Sequence, residues 1–464
     1  MESVTTKFAK QTEALTFEKL PSEVVDITKR VIIDGLGCAI GGFNSSTGKS
    51  VRDFAQSTGG TPEATLFGTN IKVASSPAIL ANQAIIRYLD YNDCFDIELG
   101  PGHLAGCHPS GSLPVAFAVA EALNSSGKDM IVAIVAGYEV MAELISRYIE
   151  SLQMNAIHHG SVHAYGSAAI AGKLMGLNTE QIVNAMGIAG SVGAGCDILD
   201  AEGEEYNMTK NLADGMLAER GYVGAMLAQR GMTGPTRIIE GHKGFAEALL
   251  GGFQNFDMDR PWKFRHHILQ TEFKSICTEL TTQGHLHATT ELVRIHGITP
   301  EAIEKVLIRT NLRAVRHCGD PIKKYPQNKE TADHSSYFLT AMAILHGKIT
   351  PKVYEEKYFS NPKVRELIDR TTLEHGEEFD GHQPAAEVTI SLKDGAVHKH
   401  LASLEEILEV RKTLLTDAGL RAKFIECADG MMSDSEVDRV IEICLNVDKM
   451  DNIQDLMKAL IITR

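Results

Sequence analysis

The chain reads as a mainly α protein, a large all-helical domain with a smaller α+β domain inserted. Three observations carry this reading. Apolar residues recur at helical spacing through the N-terminal half. Alanine and glycine crowd those same stretches. After about Asp257 the texture shifts to strand-like runs, and from Ser403 it turns helical and more charged.

The first helix expected runs from Ser22 to about Ile40. Ser22 can cap it, Glu23 and Asp26 sit in its first turn, and Val24, Ile27, Val31 and Leu36 recur on one face. Further helices follow at LPVAFAVAEAL (113–123), MIVAIVAGYEVMAELISRYI (130–149), GSAAIAGKLMGL (166–177), EQIVNAMGIAGSVGAG (180–195) and GMLAERGYVGAMLAQRG (215–231). Glycine costs a helix about 1 kcal/mol per site against alanine. So many glycines point to helices buried on several sides in close approach. Beyond residue 257, Thr299 followed by Pro300 marks a helix start. VLIRTNL (306–312) and EVTISLKDG (387–395) read as strands, and HSSYFLTAMAILHG (334–347) between them as a helix. The change of texture divides the chain into a helical domain of residues 1–265 plus 400–464 and an α+β insert of residues 266–399. No internal repeat and no low-complexity linker appears.

Composition excludes several classes. Net charge is −15 with no lysine/arginine block, so nucleic acid and anionic membranes are poor partners. The N-terminal stretch has no apolar signal-peptide core, and no uncharged run is long enough to span a bilayer. The eight cysteines are scattered with no CxxC, which fits reduced, cytoplasmic usage and no iron–sulfur cluster. GSVGAG (190–195) follows a helix rather than a strand, so it is no dinucleotide loop, and neither GxSxG nor Walker A occurs. No cofactor is called for, and no metal ligand set is assigned.

Polar residues concentrate at three helix boundaries. LDYNDCFDIELGPGHLAGCHPSG (89–111) carries Asp90, Asn92, Asp93, Cys94, His103 and His108. Ser110 or Ser112 can cap the next helix, whose free N–H groups would receive a carboxylate. A histidine just before such an N-terminus stays neutral and can donate a proton or hydrogen bond. The competing reading is a polar loop with a capping serine. IHHGSVHAYGS (157–167) brings His158, His159 and His163 to the start of a small-residue helix. His159 and His163 are four apart, but there is no HExxH, and a glycine intervenes. MTKNLADG (208–215) sets Lys210 just ahead of a helix, as a solvated lysine or a carboxylate anchor. The acidic DILDAEGEEY (197–206) reads as a solvated loop. His266, His267, His398 and His400 read as surface residues.

Together, EKLPSEVVDITKRVIIDGLGCAIGG (18–42), LFGTNIKVASSPAILANQAIIRYLDYND (66–93), HPSG (108–111), GSAAIAGKLMGL (166–177), MTKNLADG (208–215) and GYVGAMLAQRGMTGPTRIIEG (221–241) resemble the MmgE/PrpD family in order and spacing. That group includes 2-methylcitrate dehydratase, cis-aconitate decarboxylase and iminodisuccinate epimerase. The resemblance implies a helical domain formed by both ends of the chain, an active site in the cleft beside the insert, homodimers, and no metal or nucleotide cofactor. It matches Asp90, His108, His158 and Lys210 to the catalytic positions, and Lys274 to a lysine facing the cleft from the smaller domain. Cys94, Ser110 and His163 are the further substrate-binding positions. The sequence departs from the family in three places. Cys94 stands where many members have threonine. The loop from Asp93 to His108 is longer and holds Asp96 and Glu98. The loop after His158 is one residue short, so His159 or His163 can take its role. Added acidic residues would repel a tricarboxylate if they faced the pocket.

The expected chemistry is proton removal or delivery beside a carboxylate. Lys210, Lys274 and the helix N-terminus after His108 hold carboxylates, while Asp90 and His158 or His108 exchange protons. A citrate-type dehydratase ranks first. A cis-aconitate-type decarboxylase or an epimerase ranks second, and a catalytically silent carboxylate-binding protein third.

Overall fold

A computed structural model describes residues 2–95, 97–98, 104–105, 107–154, 156–249, 264–381 and 384–463. Asp96 and His103 lie outside the described residues, as does the side chain of Glu98.

The N-terminal half is built from helices α1 (Val4–Ala14), α2 (Ser22–Gly42), α3 (Ser46–Ser57), α4 (Ser75–Arg87), α5 (Leu113–Leu123), α6 (Gly127–Met154), α7 (His163–Leu174), α8 (Thr179–Gly190) and α9 (Thr209–Gln229). The chain is mainly α, and the helices expected from periodicity are all present. Helix α2 shows why. Its first turns are amphipathic, but from Val31 to Ile40 every residue is buried. Helices α4 and α6 pack on it, so an apolar run without a polar face is what the site requires. Ser22 does not cap this helix. Pro21 holds the cap position, and no side chain bonds the free amides there.

Glycines set the spacing of the α6–α7–α9 layer. A Cβ on Gly221 would come within 2.6 Å of the Ala164 carbonyl oxygen and the Ala168 amide, so α9 lies directly against the α7 backbone. The helix-propensity loss is offset by this close packing.

The remaining helices are α10 (Phe245–Leu249), α11 (Gln283–His296), α12 (Leu312–His317), α13 (Lys329–Ala332), α14 (Ser336–His346), α15 (Pro362–Arg370), α16 (Leu404–Leu414), α17 (Asp417–Ala428), α18 (Asp434–Leu445) and α19 (Gln454–Ala459). Two-residue strands form small ribbons: β1 (Ala64–Thr65) with β2 (Lys72–Val73), β3 (Cys94–Phe95) with β6 (Thr271–Glu272), and β4 (Ile97–Glu98) with β5 (Leu104–Ala105). The main sheet holds β7 (Ile303–Thr310), β8 (Thr371–His375), β9 (Ala386–Leu392) and β10 (Val397–Ala402) in the order β10-β9-β7-β8. Strand β7 pairs antiparallel with β9 and parallel with β8. Val306, Ile308 and Thr310 of β7 and Ala386, Val388 and Ile390 of β9 point to the covered face, with α11 packed against β9 and β10.

Thr299–Pro300 proves to open only a single 3-10 turn, Pro300–Ala302, before the chain extends into β7. Ile303, Val306 and Ile308 need the alternating face of a strand, which a continued helix would not provide. At the C-terminal end, α17 and α18 pack on α2, and the buried Lys423 Nζ sits 2.6 Å from Asp34 Oδ1.

Four histidines expected at the surface have partners. His267 is buried, its Nδ1 2.8 Å from Gln270 Oε1 and its Nε2 3.1 Å from Glu143 Oε1. His266 stands edge-on to Phe264, His398 stacks on His296, and His400 Nε2 lies 3.1 Å from Glu406 Oε1. Most of these partners come from other elements, which local sequence does not show.

Candidate active site

Helix α4 ends at Arg87, and the chain then turns sharply at Asp90, whose φ is 48°. Aspartate tolerates this left-handed backbone better than most residues. The turn leaves the Asp90 carboxylate only 2% exposed and surrounded by cations. Arg87 Nη1 is 2.6 Å from Oδ1, Lys274 Nζ is 2.5 Å from the same oxygen, and Lys210 Nζ is 3.8 Å from Oδ2. Burial alone would raise the Asp90 pKa, but Arg87, Lys274 and Lys210 together hold it well below the usual carboxylate range.

Lys210 lies within the first turn of α9, not ahead of it, and is buried. It also reaches Asp200 Oδ1 at 3.2 Å. Asp200 belongs to the acidic segment 197–206, which lines the cavity through Asp197, Asp200, Glu202 and Glu204 while residues 202–205 stay exposed to solvent. Burial opposes its charge, yet Lys210, His317 and His334 keep its pKa well down.

His108 precedes the 3-10 turn Pro109–Ser112. Its Nδ1 lies 2.7 Å from the Asp93 carbonyl oxygen. A carbonyl only accepts, so Nδ1 carries the proton and Nε2 keeps a lone pair. Burial first, and then Arg87 and Lys274, push the His108 pKa well below its ordinary value. The helix N-terminus expected to receive a substrate carboxylate is already taken. The Ser110 N–H donates to Asp93 Oδ1 at 3.1 Å, and Tyr138 O–H donates to Oδ2 at 2.8 Å. Neither serine caps by its side chain. Ser110 Oγ accepts from Asn92 Nδ2 at 2.9 Å, and Ser112 Oγ bonds His163 Nδ1 at 2.8 Å.

A cavity of about 580 Å³ opens on this cluster. Asp90, Cys94, His108, Lys210 and Lys274 line it, as does Arg87. His159 lines it as well, whereas His158 and His163 stand behind the wall. His158 Nδ1 accepts from the Gly160 N–H at 3.1 Å, and its ring lies 4.2 Å from that of His159. Burial, then the neighbouring His158, lowers the His159 pKa well below the ordinary value. Cys94 is fixed by the β3–β6 ribbon, its Sγ 3.8 Å from the Glu272 carbonyl oxygen.

The opposite wall was not read from the sequence. Glu279, Thr281, Arg313, His317 and His334 form it. A signal for His334 was present. It stands immediately before Ser335, whose hydroxyl caps α14, and the two loops singled out above also place a histidine just ahead of a helix. Asp200, His317 and His334 bring possible ligand atoms within 4.8 Å of one another, as do Asp90, Asp333 and His334. Lys210 already supplies positive charge at Asp200.

A buried ionised carboxylate among cations, beside neutral histidines, defines an acid–base enzyme for an anionic substrate. The chain belongs to the MmgE/PrpD family: the family's N-terminal domain matches residues 6–256 and its C-terminal domain residues 277–449. It is 28% identical to a cis-aconitate decarboxylase of Mus musculus over 98% of this chain and 92% of that protein. It is 24% identical to a mitochondrial 2-methylcitrate dehydratase of Yarrowia lipolytica, over 82% and 75%. With a 2-methylcitrate dehydratase of Escherichia coli it shares 25% over 71% and 70%. Both activities are lyase reactions, and this chain is an enzyme of that class.

Proposed function

We propose that this lyase acts on a tricarboxylic acid of the cis-aconitate type and releases carbon dioxide from it. The observation that carries the reading is the convergence of Arg87, Lys210 and Lys274 on one cavity wall around Asp90. Three cations within reach of one another fit a substrate with several carboxylates. The near full-length likeness to the mouse decarboxylase supports decarboxylation ahead of the dehydration favoured by sequence alone. In this reading Arg87, Lys210 and Lys274 anchor carboxylates, exchanging Asp90 or Asp200 for the substrate. His108 and His159 line the same cavity as neutral imidazoles.

Dehydration of a citrate-type acid is the second reading. It is favoured by the bare His108 Nε2, a base positioned to take a proton from carbon. Incubating the protein with a panel of di- and tricarboxylic acids in deuterium oxide, followed by NMR, separates the two. Decarboxylation gives carbon dioxide and a product deuterated at the new C–H. Dehydration gives an alkene with all carboxylates kept. No turnover of any tricarboxylate would remove both readings.

A further inference from the structure

The structure assigns to His334 the role of proton donor in the lyase reaction, with Asp333 as the residue that positions it. This rests on the lyase reading above. His334 is buried in the cavity wall, next to Asp90 and Asp200. Its Nδ1 lies 2.5 Å from Asp333 Oδ1, and the other oxygen of Asp333 is held 2.6 Å from Lys329 Nζ. Lys329 is itself anchored on the Tyr88 carbonyl. An ionised carboxylate so fixed makes Nδ1 the N–H donor and directs Nε2 toward the substrate space.

Two carboxylates lie directly beside Nε2. Asp90 Oδ2 is 3.5 Å away and Asp200 Oδ1 is 3.6 Å away. Neither oxygen has a hydrogen-bond partner among the described residues, although Lys210 stands near both. An added proton on Nε2 thus meets negative charge on both sides of the ring.

The other cavity histidines lack this arrangement. His108 has a carbonyl at Nδ1 and the cations Arg87 and Lys274 nearby. His159 faces another histidine. His317 has Asp200 3.8 Å from Nε2 and Glu279 within 4.8 Å of a ring nitrogen, while Lys323 is bonded to its carbonyl oxygen. Among the described histidines that line the cavity, His334 alone has carboxylates within 4 Å of both nitrogens.

In decarboxylation the bond to the leaving carboxylate breaks and its electron pair moves onto the remaining carbon skeleton. Carbon dioxide departs. A new C–H bond forms with the proton from Nε2, leaving His334 neutral, and water returns the proton. In dehydration His108 Nε2 takes a proton from carbon, and the C–H electron pair forms the double bond as the C–O bond breaks. The proton from His334 Nε2 goes to the departing hydroxyl, which leaves as water. Solvent then takes the proton from His108 and returns one to His334.

His334→Ala is the test. Loss of a general acid lowers kcat by about 10²–10⁴-fold. KM should move little, and added imidazole should restore part of the turnover. His334→Gln, which keeps the side chain's bulk, should lose kcat to the same extent and carries the kinetic test if the alanine variant does not fold. Turnover within about threefold of wild type in either variant overturns the proposal, as does a folded alanine variant that imidazole does not rescue. A second readout needs no substrate. Histidine-¹⁵N-labelled wild-type protein should show a downfield Nδ1–H resonance that disappears in both His334→Gln and Asp333→Asn. Its absence from wild type refutes the Asp333–His334 pair. Wild-type inactivity toward every tricarboxylate would count against the lyase substrate alone.

Discussion

Lys274 donates twice to the same residue, to the Asp90 carboxylate at 2.5 Å and to the Asp90 carbonyl oxygen at 3.0 Å. The two hydrogen bonds fix a lysine that is 1% exposed beside the turn that ends α4. Asp90 therefore uses its negative charge to keep Arg87, Lys210 and Lys274 together.

The first prediction follows from that pairing. Asp90→Asn should lower kcat by about 10²–10⁴-fold if Asp90 exchanges a proton, while KM falls or stays level because three cations are released for the substrate. Lys210→Ala should mainly raise KM, since binding lost equally in ground and transition states spares kcat. Steady-state kinetics checks both. Near-native kcat in Asp90→Asn together with His108→Ala would leave both residues without a part in proton transfer.

Activity is expected to survive exhaustive chelation. Lys210 already stands 3.2 Å from Asp200, so the aspartate's charge is met without a metal. Dialysis against a strong chelator followed by assay is the measurement. Loss restored by a single added metal would contradict it and point to the Asp200, His317 and His334 cluster.

Asp93 gives a stability prediction. Burial, with a contribution from Asp34, pushes its carboxyl up to about 7 despite the hydrogen bonds from Ser110 and Tyr138. An acid raised above its unfolded value of about 3.9 binds its proton more tightly when folded. Its contribution is fully present below about pH 4 and fades as pH rises through about 7. Asp93→Asn should flatten that part of the pH profile. Urea midpoints of both proteins between pH 4 and 8 test it, and parallel profiles would refute it.

The contact between Asp34 and Lys423 ties α17 to α2. Lys423→Met leaves Asp34 buried without its partner, a change that typically costs about 3–5 kcal/mol. Asp34→Leu combined with Lys423→Met should recover much of the loss. Thermal melts of the single and double variants measure it, and a single variant as stable as wild type would show that the pair does not stabilise the docking of α17.

These particulars show what sequence could reveal. Helices such as Leu113–Leu123 were legible because a long run of small and apolar residues suits a helix buried on every side. Strand β10 was not, because it is an edge strand whose apolar residues face out, with Val397 61% and Leu401 52% exposed. Asp90, Cys94, His108, Lys210 and Lys274, which the sequence singles out, line one cavity. Asp200 and His334 were passed over. A charge held by a partner looks like a solvated one until the partner is known, and theirs lie on distant segments. The Ser110 amide was misjudged for the same reason, since Asp93 already occupies it.

The acidic stretch along the cavity has a kinetic consequence. Asp197, Glu202 and Glu204 line the cavity, on a chain of net charge −15. Arg87, Lys210 and Lys274 are already paired with Asp90, Asp200 and Asp214, so little of their attraction extends outward. A polyanion approaching this surface meets repulsion before it meets the anchoring lysines. Its encounter rate should therefore rise as salt screens the acidic surface, over a Debye length of about 10 Å at 0.1 M. Enzymes that steer anions with an open basic funnel show the opposite salt dependence.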